Sequence, residues 1–433
     1  MPAPRPVQQY LERYAAAEIR AAKQVGAVYD RVLAIPAKAE NPSFLDGLAP
    51  ALRAEERTAV IVVVNAKDAD GAEVHRRNEA LYRDLCERAG DLTPLTPSVR
   101  VGALAGPGRA DLIIVDRFSP GRRFSPRQGV GLARGIACDV ALSLYARGRL
   151  RSRWLHTTDA DATLPADYFA AADAAPRDAA GLSYPFWHET SDTAPGEALA
   201  LYEISLRYYV LGLAFADSPY AFHTLGSTMA ADAVAYAACR GMPKREFSED
   251  FYLLGKLSKL GPITRPVCSP IRLRQRLSDR VPVGTGPAAR AILRDREANA
   301  PFRLYDPRVF EIVFAARRGA RAFAESRDLA ALRAAATPRL STAYRQACAH
   351  LGLEEALSGA AAGTTSAGAL ERRLESWLDG FRTFKLIRGA QAAGLTPMSW
   401  RLALASAPFL SGRVDPRGAL DDIRADLARA ETE

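Results

Sequence analysis

Four short apolar runs recur before residue 160, and each leads into polar residues. They are Val32-Leu33-Ala34-Ile35-Pro36, Ala59-Val60-Ile61-Val62-Val63-Val64, Asp111-Leu112-Ile113-Ile114-Val115-Asp116 and Trp154 to Thr158. All four read as strands, and the near-continuous, β-branched Ala59–Val64 has the pattern of a strand covered on both faces. Helical spacing separates them. Tyr10, Leu11, Tyr14, Ala17 and Ala21 predict a helix over Val7–Val28, and further helices are expected from Ser43 to Arg53, Glu79 to Arg88 and Gly129 to Arg147. Strand and helix in alternation call for an α/β fold, a mainly parallel sheet with helices on both faces and right-handed crossovers. Ligands of such sheets bind beyond the carboxyl ends of the strands. Glu40, Asn65, Asp116 and Asp159 all stand at those ends.

Further along, Leu182 to Phe186 reads as a fifth strand and Leu201 to Phe215 as an aromatic core helix. Glu203, Arg207 and Asp217 interrupt the apolar stretch Tyr202–Phe222, which argues against a membrane span. A helix is expected near Ala231–Ala238 and another from Ser248, a natural N-cap. Beyond Pro287 the composition shifts to Ala, Arg and Leu. Helical stretches near Pro307–Ala324, Leu329–Leu351, Leu370–Gly389 and Trp400–Leu410, with a loop at Gly359–Gly368, predict an α-helical C-terminal region. The division expected is an N-terminal helix at 1–29, a catalytic sheet domain at 30–290 and the helical region at 291–433.

Composition adds a direction but no activity. With 433 residues, 48% hydrophobic and 25% charged, the chain is long enough for a large buried core. Lys and Arg number 58 against 49 Asp and Glu, a net charge of +9 that favours anionic partners. The arginines are dispersed and form no basic block interleaved with aromatics, so nucleic acid is not the expected partner. Cys86, Cys138, Cys239, Cys268 and Cys348 are odd in number and contain no Cys-x-x-Cys pair, which argues against a zinc site or a disulfide framework. No apolar signal core follows the N-terminus, and a cytoplasmic location is the expectation.

The densest chemistry lies where the fourth strand ends. In extended chain, residues i and i+2 share a side. Asp159 and Asp161 therefore present two carboxylates to one spot, a charge arrangement that a hard divalent cation relieves. A solvated acidic loop or a helix N-cap accounts for the same residues. Glu249-Asp250 likewise reads either as first-turn carboxylates favouring a helix dipole or as acid–base residues.

These segments, in this order, resemble family-two glycosyltransferases of the GT-A fold. The likeness rests on Val32 to Glu40 with its Pro36-Ala37-x-x-Glu40, the glycine-rich helix start Gly129-Val130-Gly131-Leu132-Ala133-Arg134, and Thr158-Asp159-Ala160-Asp161 followed by Leu164-Pro165. Gly241-Met242-Pro243 ahead of Glu249-Asp250 completes it, over about residues 30 to 290. The resemblance implies a metal-dependent, inverting transfer of one sugar from a nucleotide diphosphate to an acceptor hydroxyl. It implies Asp250 as base with Glu249 as its neighbour, and Mg2+ or Mn2+ held by Asp159 and Asp161. His188 or His223 is a candidate third ligand or acceptor contact, with a packing role the plainer reading. Pro36, Ala37, Glu40 and Asn65 would border the nucleotide, whose base is uracil or guanine. Asn65 stands where relatives often carry Asp. Arg134 either faces the diphosphate or covers its helix. The cluster Arg272, Arg274, Arg276 and Arg280, of which Arg276 and Arg280 are the donor candidates, is either a phosphate-binding lid or a solvated basic face. The Gln-x-x-Arg-Trp of processive members is missing at Gln275-Arg276-Leu277-Ser278-Asp279.

Two other readings use the same residues. A sugar-phosphate nucleotidyltransferase would need a glycine-rich phosphate loop after the first strand, where this chain has Ala37-Lys38-Ala39-Glu40. A non-enzymatic basic module would bind nucleic acid or acidic membrane without Asp159 and Asp161. An acceptor of anionic character, peripheral membrane contact and a homodimer are left open.

Overall fold

The computed structural model describes residues 3–106, 108–275 and 284–432. Arg276 and Arg280 lie outside the described residues. The chain forms two compact units, Met1–Glu189 with Thr224–Gly284, and Thr190–His223 with Thr285–Glu433.

The first unit is the sheet. It opens with α1 (Arg5–Arg13) and a 3-10 turn at Ala17–Lys23, so the helix expected over Val7–Val28 is two shorter pieces. Then follow β1 (Arg31–Ala37), a 3-10 segment Pro42–Ala51, β2 (Arg57–Asn65), α2 (Ala72–Arg88), β3 (Thr93–Thr96), β4 (Val99–Ala103), β5 (Arg109–Arg117), α3 (Val130–Ala146) and β6 (Trp154–Thr157). Next come β7 (Ala162–Thr163), α4 (Tyr168–Asp173), β8 (Gly181–Ser183) and β9 (Phe186–His188). After α5 (Ala194–Phe215), which belongs to the second unit, the chain returns as β10 (Met229–Asp232), α6 (Ala233–Ala238), α7 (Glu249–Leu257), β11 (Ile263–Thr264) and β12 (Ile271–Leu273).

Nine strands form the main sheet in the order β11-β8-β10-β6-β1-β2-β5-β4-β3. Its centre, β6-β1-β2-β5, is parallel, and antiparallel strands flank it. Val60 to Val64 of β2 are wholly buried, each side chain contributing roughly 1.5–3 kcal/mol of hydrophobic stabilisation. The chain runs from β1 to β2 and β5 on one side and then crosses back to place β6 on the other side of β1. Such a reversal is where open α/β sheets form their ligand crevice, here at the carboxyl ends of β1 and β6. A second, three-stranded sheet, β7-β12-β9, follows directly from the loop after β6.

Several elements depart from expectation for local reasons. The β3–β4 hairpin is not foreseen because Pro94 sits within it, a residue tolerated only on an edge strand such as β3. Pro42–Ala51 is a 3-10 segment and not an α-helix, and Pro50 near its end removes one helical N–H. The fifth strand divides into β8 and β9 at Tyr184-Pro185. The helix expected from Ala231 starts at Ala233, because Asp232 caps it with its side chain after ending β10.

The second unit is helical: α5 with α8 (Thr285–Glu297), α9 (Arg308–Ser326), α10 (Leu329–Arg333), α11 (Ser341–Leu351), α12 (Leu353–Ala362), α13 (Ala367–Trp377), α14 (Gly380–Ala392), α15 (Trp400–Ser406) and α16 (Leu420–Ala430). Residues 190–223, assigned from sequence to the catalytic domain, pack here, with Tyr208 and Leu211 of α5 in one core with Phe310 and Val313 of α9. α5 is long and apolar enough to cross a membrane by composition. Its Glu203 and Arg207 are nonetheless wholly buried inside protein. Arg207 donates to Glu203 at 2.8 Å and to Glu431 at 2.8 Å, and Arg424 of α16 donates to Glu203 at 2.9 Å. Buried charges persist only when paired in this way, and the pairing fixes α16 against α5.

Candidate functional site

The crevice is built from loops whose backbones are pinned. Beyond β1, the Ala39 N–H donates to Asn78 Oδ1 at 2.7 Å, and Ala39 adopts a left-handed φ of 51°. The Asn78 amide donates to the Asn65 carbonyl at 2.9 Å, and the Asn65 amide donates to the carbonyls of Ala37 and Val63 at 3.0 and 3.2 Å. Two buried asparagines therefore set the end of β1, with Pro36 and Ala37, and the loop beyond it that carries Glu40. The Asn65 amide nitrogen faces the backbone of its own sheet. Asn78 is the residue that sequence reading missed, and an asparagine inside a polar helix gives no sign of this role.

The loop after β6 is held on both sides. The Thr158 N–H donates to the Ala34 carbonyl at 3.2 Å, and the Thr157 hydroxyl donates to the Gly226 carbonyl at 2.8 Å. A turn from Asp159 brings the Ala162 N–H within 3.3 Å of the Asp159 carbonyl. The Asp161 carbonyl then accepts from the Arg274 N–H at 2.9 Å, which extends the β7–β12 ladder by one residue. The two aspartates thus straddle the junction of the two sheets.

Arg134, on the first turns of α3, gathers this region. Its guanidinium donates to Asp159 Oδ1 at 2.9 Å, to Glu249 Oε1 at 3.1 Å and to the Gly226 carbonyl at 2.9 Å. The side chain is buried; burial opposes its charge, but Asp159, Glu249 and Asp250 outweigh that and hold it protonated above its ordinary range. Glycines make the approach feasible. A Cβ at Gly226 would lie 2.5 Å from Arg134 Nη2, and one at Gly131 would lie 2.6 and 2.7 Å from the carbonyl oxygens of Arg245 and Pro243. The glycine-rich start of α3 therefore serves close packing of the 243–249 segment.

Glu249 and Asp250 open α7. Ser248 occupies the N-cap position, but with φ 60° and no side-chain capping bond. The Asp250 carboxylate accepts from the Phe251 N–H at 2.7 Å. Burial first, and then the charge of adjacent Glu249, push its carboxyl from 3.8 up to about 7, against the opposing pull of Phe251 and Arg134. A carboxylate titrating near neutrality is suited to proton transfer, whereas the ion-paired Glu249 is suited to holding position.

Asp159 and Asp161 supply oxygen donors of the kind that Mg2+ and Mn2+ accept. Among the described residues no group of three or more His, Cys, Asp and Glu forms a metal-holding cluster. A cation bound by these two carboxylates would draw the rest of its shell from diphosphate and water, which is usual for Mg2+. His188 lies in β9, buried and edge-on to the Phe186 ring at 5.4 Å. His223 pairs with Glu431 at 2.7 Å in the second unit. Asp116 is a loop-former, accepting from the N–H groups of Phe118 and Ser119 and from Arg122. His156 packs among Tyr168, Phe169 and Tyr184, and burial, followed by the Arg31 charge, lowers its pKa to about 3.

No protein-family model and no curated protein matches the sequence. Among solved structures, S. aureus TarS residues 1–349 in complex with UDP-GlcNAc is similar at 12% identity, over 80% of this chain and 89% of that one, with a TM-score of 0.38. The mannosyltransferase PcManGT from Pyrobaculum calidifontis, in complex with GDP-Man and Mn2+, is similar at 18% identity over 90% and 93%, with a TM-score of 0.32. Scores this low leave the functional reading to the residues of the chain itself.

Proposed function

We propose that the chain is a glycosyltransferase that moves one sugar from a nucleotide diphosphate to an acceptor hydroxyl with inversion, in single transfers. The observation that carries this reading is the Arg134 bridge. It ties the Asp159 loop, at the crevice of a parallel sheet, to the start of α7, where a carboxyl titrates near neutrality. The loops after β1 and β6 offer the nucleotide side, with Pro36, Ala37 and Glu40 bordering base and ribose. Mg2+ or Mn2+ held by Asp159 and Asp161 would supply Lewis-acid stabilisation to the departing diphosphate.

Asp250 takes the acceptor proton as the acceptor oxygen forms its bond to the anomeric carbon. The bond from that carbon to the diphosphate oxygen breaks, and its electron pair leaves with the nucleotide. Glu249, fixed by Arg134, keeps a second negative charge beside Asp250 and so keeps that base able to hold a proton. The test is calorimetric titration with UDP- and GDP-sugars, with and without Mn2+ or Mg2+. Metal-dependent binding that disappears in Asp159→Ala is the expected result. Absence of binding by any nucleotide sugar would reject the proposal.

A further inference from the structure

The small sheet β7-β12-β9 has one covered and one open face. Ala162, Phe186, His188, Ile271 and Leu273 are buried, while Arg272 and Arg274 are exposed. Arg272 is in register with Thr163 on one side and Trp187 on the other, both partly exposed, and Arg274 faces Asp161 across the ladder. Strand alternation therefore sets two exposed guanidinium groups on one face of the sheet, beside the second aspartate of the crevice. Arg272 and Arg274 are both exposed, and neither has an ion pair or side-chain hydrogen bond among the described residues.

Two cations two residues apart on a strand, about 6–7 Å between their Cα atoms, fit the opposite oxygens of one phosphate. The loop after β6 has β1 on one side, through Thr158 and Ala34, and β12 on the other, through Asp161 and Arg274. The nucleotide side borders β1, which leaves β12 to the acceptor.

We infer that the exposed face of this sheet, through Arg272 and Arg274, is a binding platform for a phosphate-bearing acceptor. The guanidinium groups hold the phosphate through paired, charge-assisted hydrogen bonds. This assignment of substrate class rests on the glycosyl-transfer reading.

The test is calorimetric titration of tripolyphosphate into the full chain saturated with Mn2+ and a nucleotide sugar, so that the donor side is filled. Wild-type protein is expected to bind. Arg272→Gln with Arg274→Gln is expected to weaken that binding about tenfold or more, while the donor Kd and the melting temperature stay unchanged. Cosedimentation with phosphatidylglycerol vesicles, beyond that with phosphatidylcholine, would assign the phosphate to a lipid-borne acceptor; no such excess would assign it to a soluble one. Equal tripolyphosphate binding by both proteins, or no binding by either, would overturn the platform. So would a loss of donor affinity in the double variant, which would place these arginines on the donor diphosphate. Failure of the donor to bind at all counts against glycosyl transfer and is read separately, because the comparison of variants can then be run on the free protein.

Discussion

Arg134 Nη2 lies 2.9 Å from Asp159 Oδ1, and both sit on the crevice side of the sheet with the arginine almost wholly enclosed. Because the same guanidinium also holds Glu249, its removal leaves three carboxylates facing one another without a cation. Arg134→Ala should destabilise the chain by about 3–5 kcal/mol, the cost of orphaning buried charges. Arg134→Lys should recover part of the stability but little donor affinity, since one ammonium cannot span Asp159, Glu249 and the Gly226 carbonyl at once. Denaturant unfolding alongside donor titration checks both halves; equal donor affinity in Arg134→Lys would reject the bridging role.

Asp250 sets a pH expectation in two directions. As the proposed base it would work deprotonated, so kcat/KM should rise with pH and reach half its plateau near pH 7. Asp250→Asn should bind donor normally and lose transfer by about a hundredfold or more. For stability the sign is opposite. A carboxyl raised from 3.8 to about 7 favours the folded state while protonated, and that contribution is lost as pH rises through about 7. Asp250→Asn should therefore be the more stable protein at pH 8 and not at pH 4, as paired unfolding curves would show.

Gly131→Ala isolates the packing of α3 on the 243–249 segment. Alanine is favoured over glycine in a helix by about 1 kcal/mol. Here its Cβ would meet two carbonyl oxygens inside 2.8 Å, and backbone cannot yield as a side chain tip does. The expected outcome is a displaced Glu249-Asp250 segment, with transfer falling much more than the melting temperature. Turnover and thermal unfolding measured together distinguish this from a general loss of fold.

His156 governs acid tolerance. Its pKa falls from 6.5 to about 3 on folding, so the unfolded chain takes up a proton that the folded chain refuses. Stability is lost as pH drops from 6.5 toward 3, by a few kcal/mol at most. His156→Phe, placed among Tyr168, Phe169 and Tyr184, should flatten that decline. An unchanged acid-unfolding midpoint would refute this.

The parallel centre of the sheet was readable because its strands are apolar on both faces, and that pattern survives without knowledge of partners. Antiparallel β10 was not, since Met229-Ala230-Ala231-Asp232 carries small residues that suit helix and strand alike. The place of Asp159 and Asp161 just past β6 was legible from the apolar run before them; that Ala160 and Asp161 form a turn, and do not extend the strand, was not. The dual attachment of Arg134 was not, because it depends on Gly226, ninety-two positions away, leaving room for a guanidinium. Asn65 shows the reverse case: its place at a strand end was evident, but its bonding depends on Asn78, whose position along α2 reveals nothing about the loop it reaches. Arg272 and Arg274 were visible as a charge cluster, and only the register of β12 shows that they share one exposed face.

The excursion of residues 190–223 has a practical consequence for dissecting this protein. The chain leaves the sheet unit at Glu189, rejoins it at Thr224 and leaves again at Gly284, so no single cut separates the two units. A truncation after the sheet would retain α5 while discarding α9 and α16, stranding Glu203 and Arg207 without Arg424 and Glu431 and baring an apolar helix of 22 residues. Such a fragment should aggregate. A fragment in which a short linker bridges Glu189 to Thr224 keeps every strand of both sheets and every residue of the Arg134 cluster.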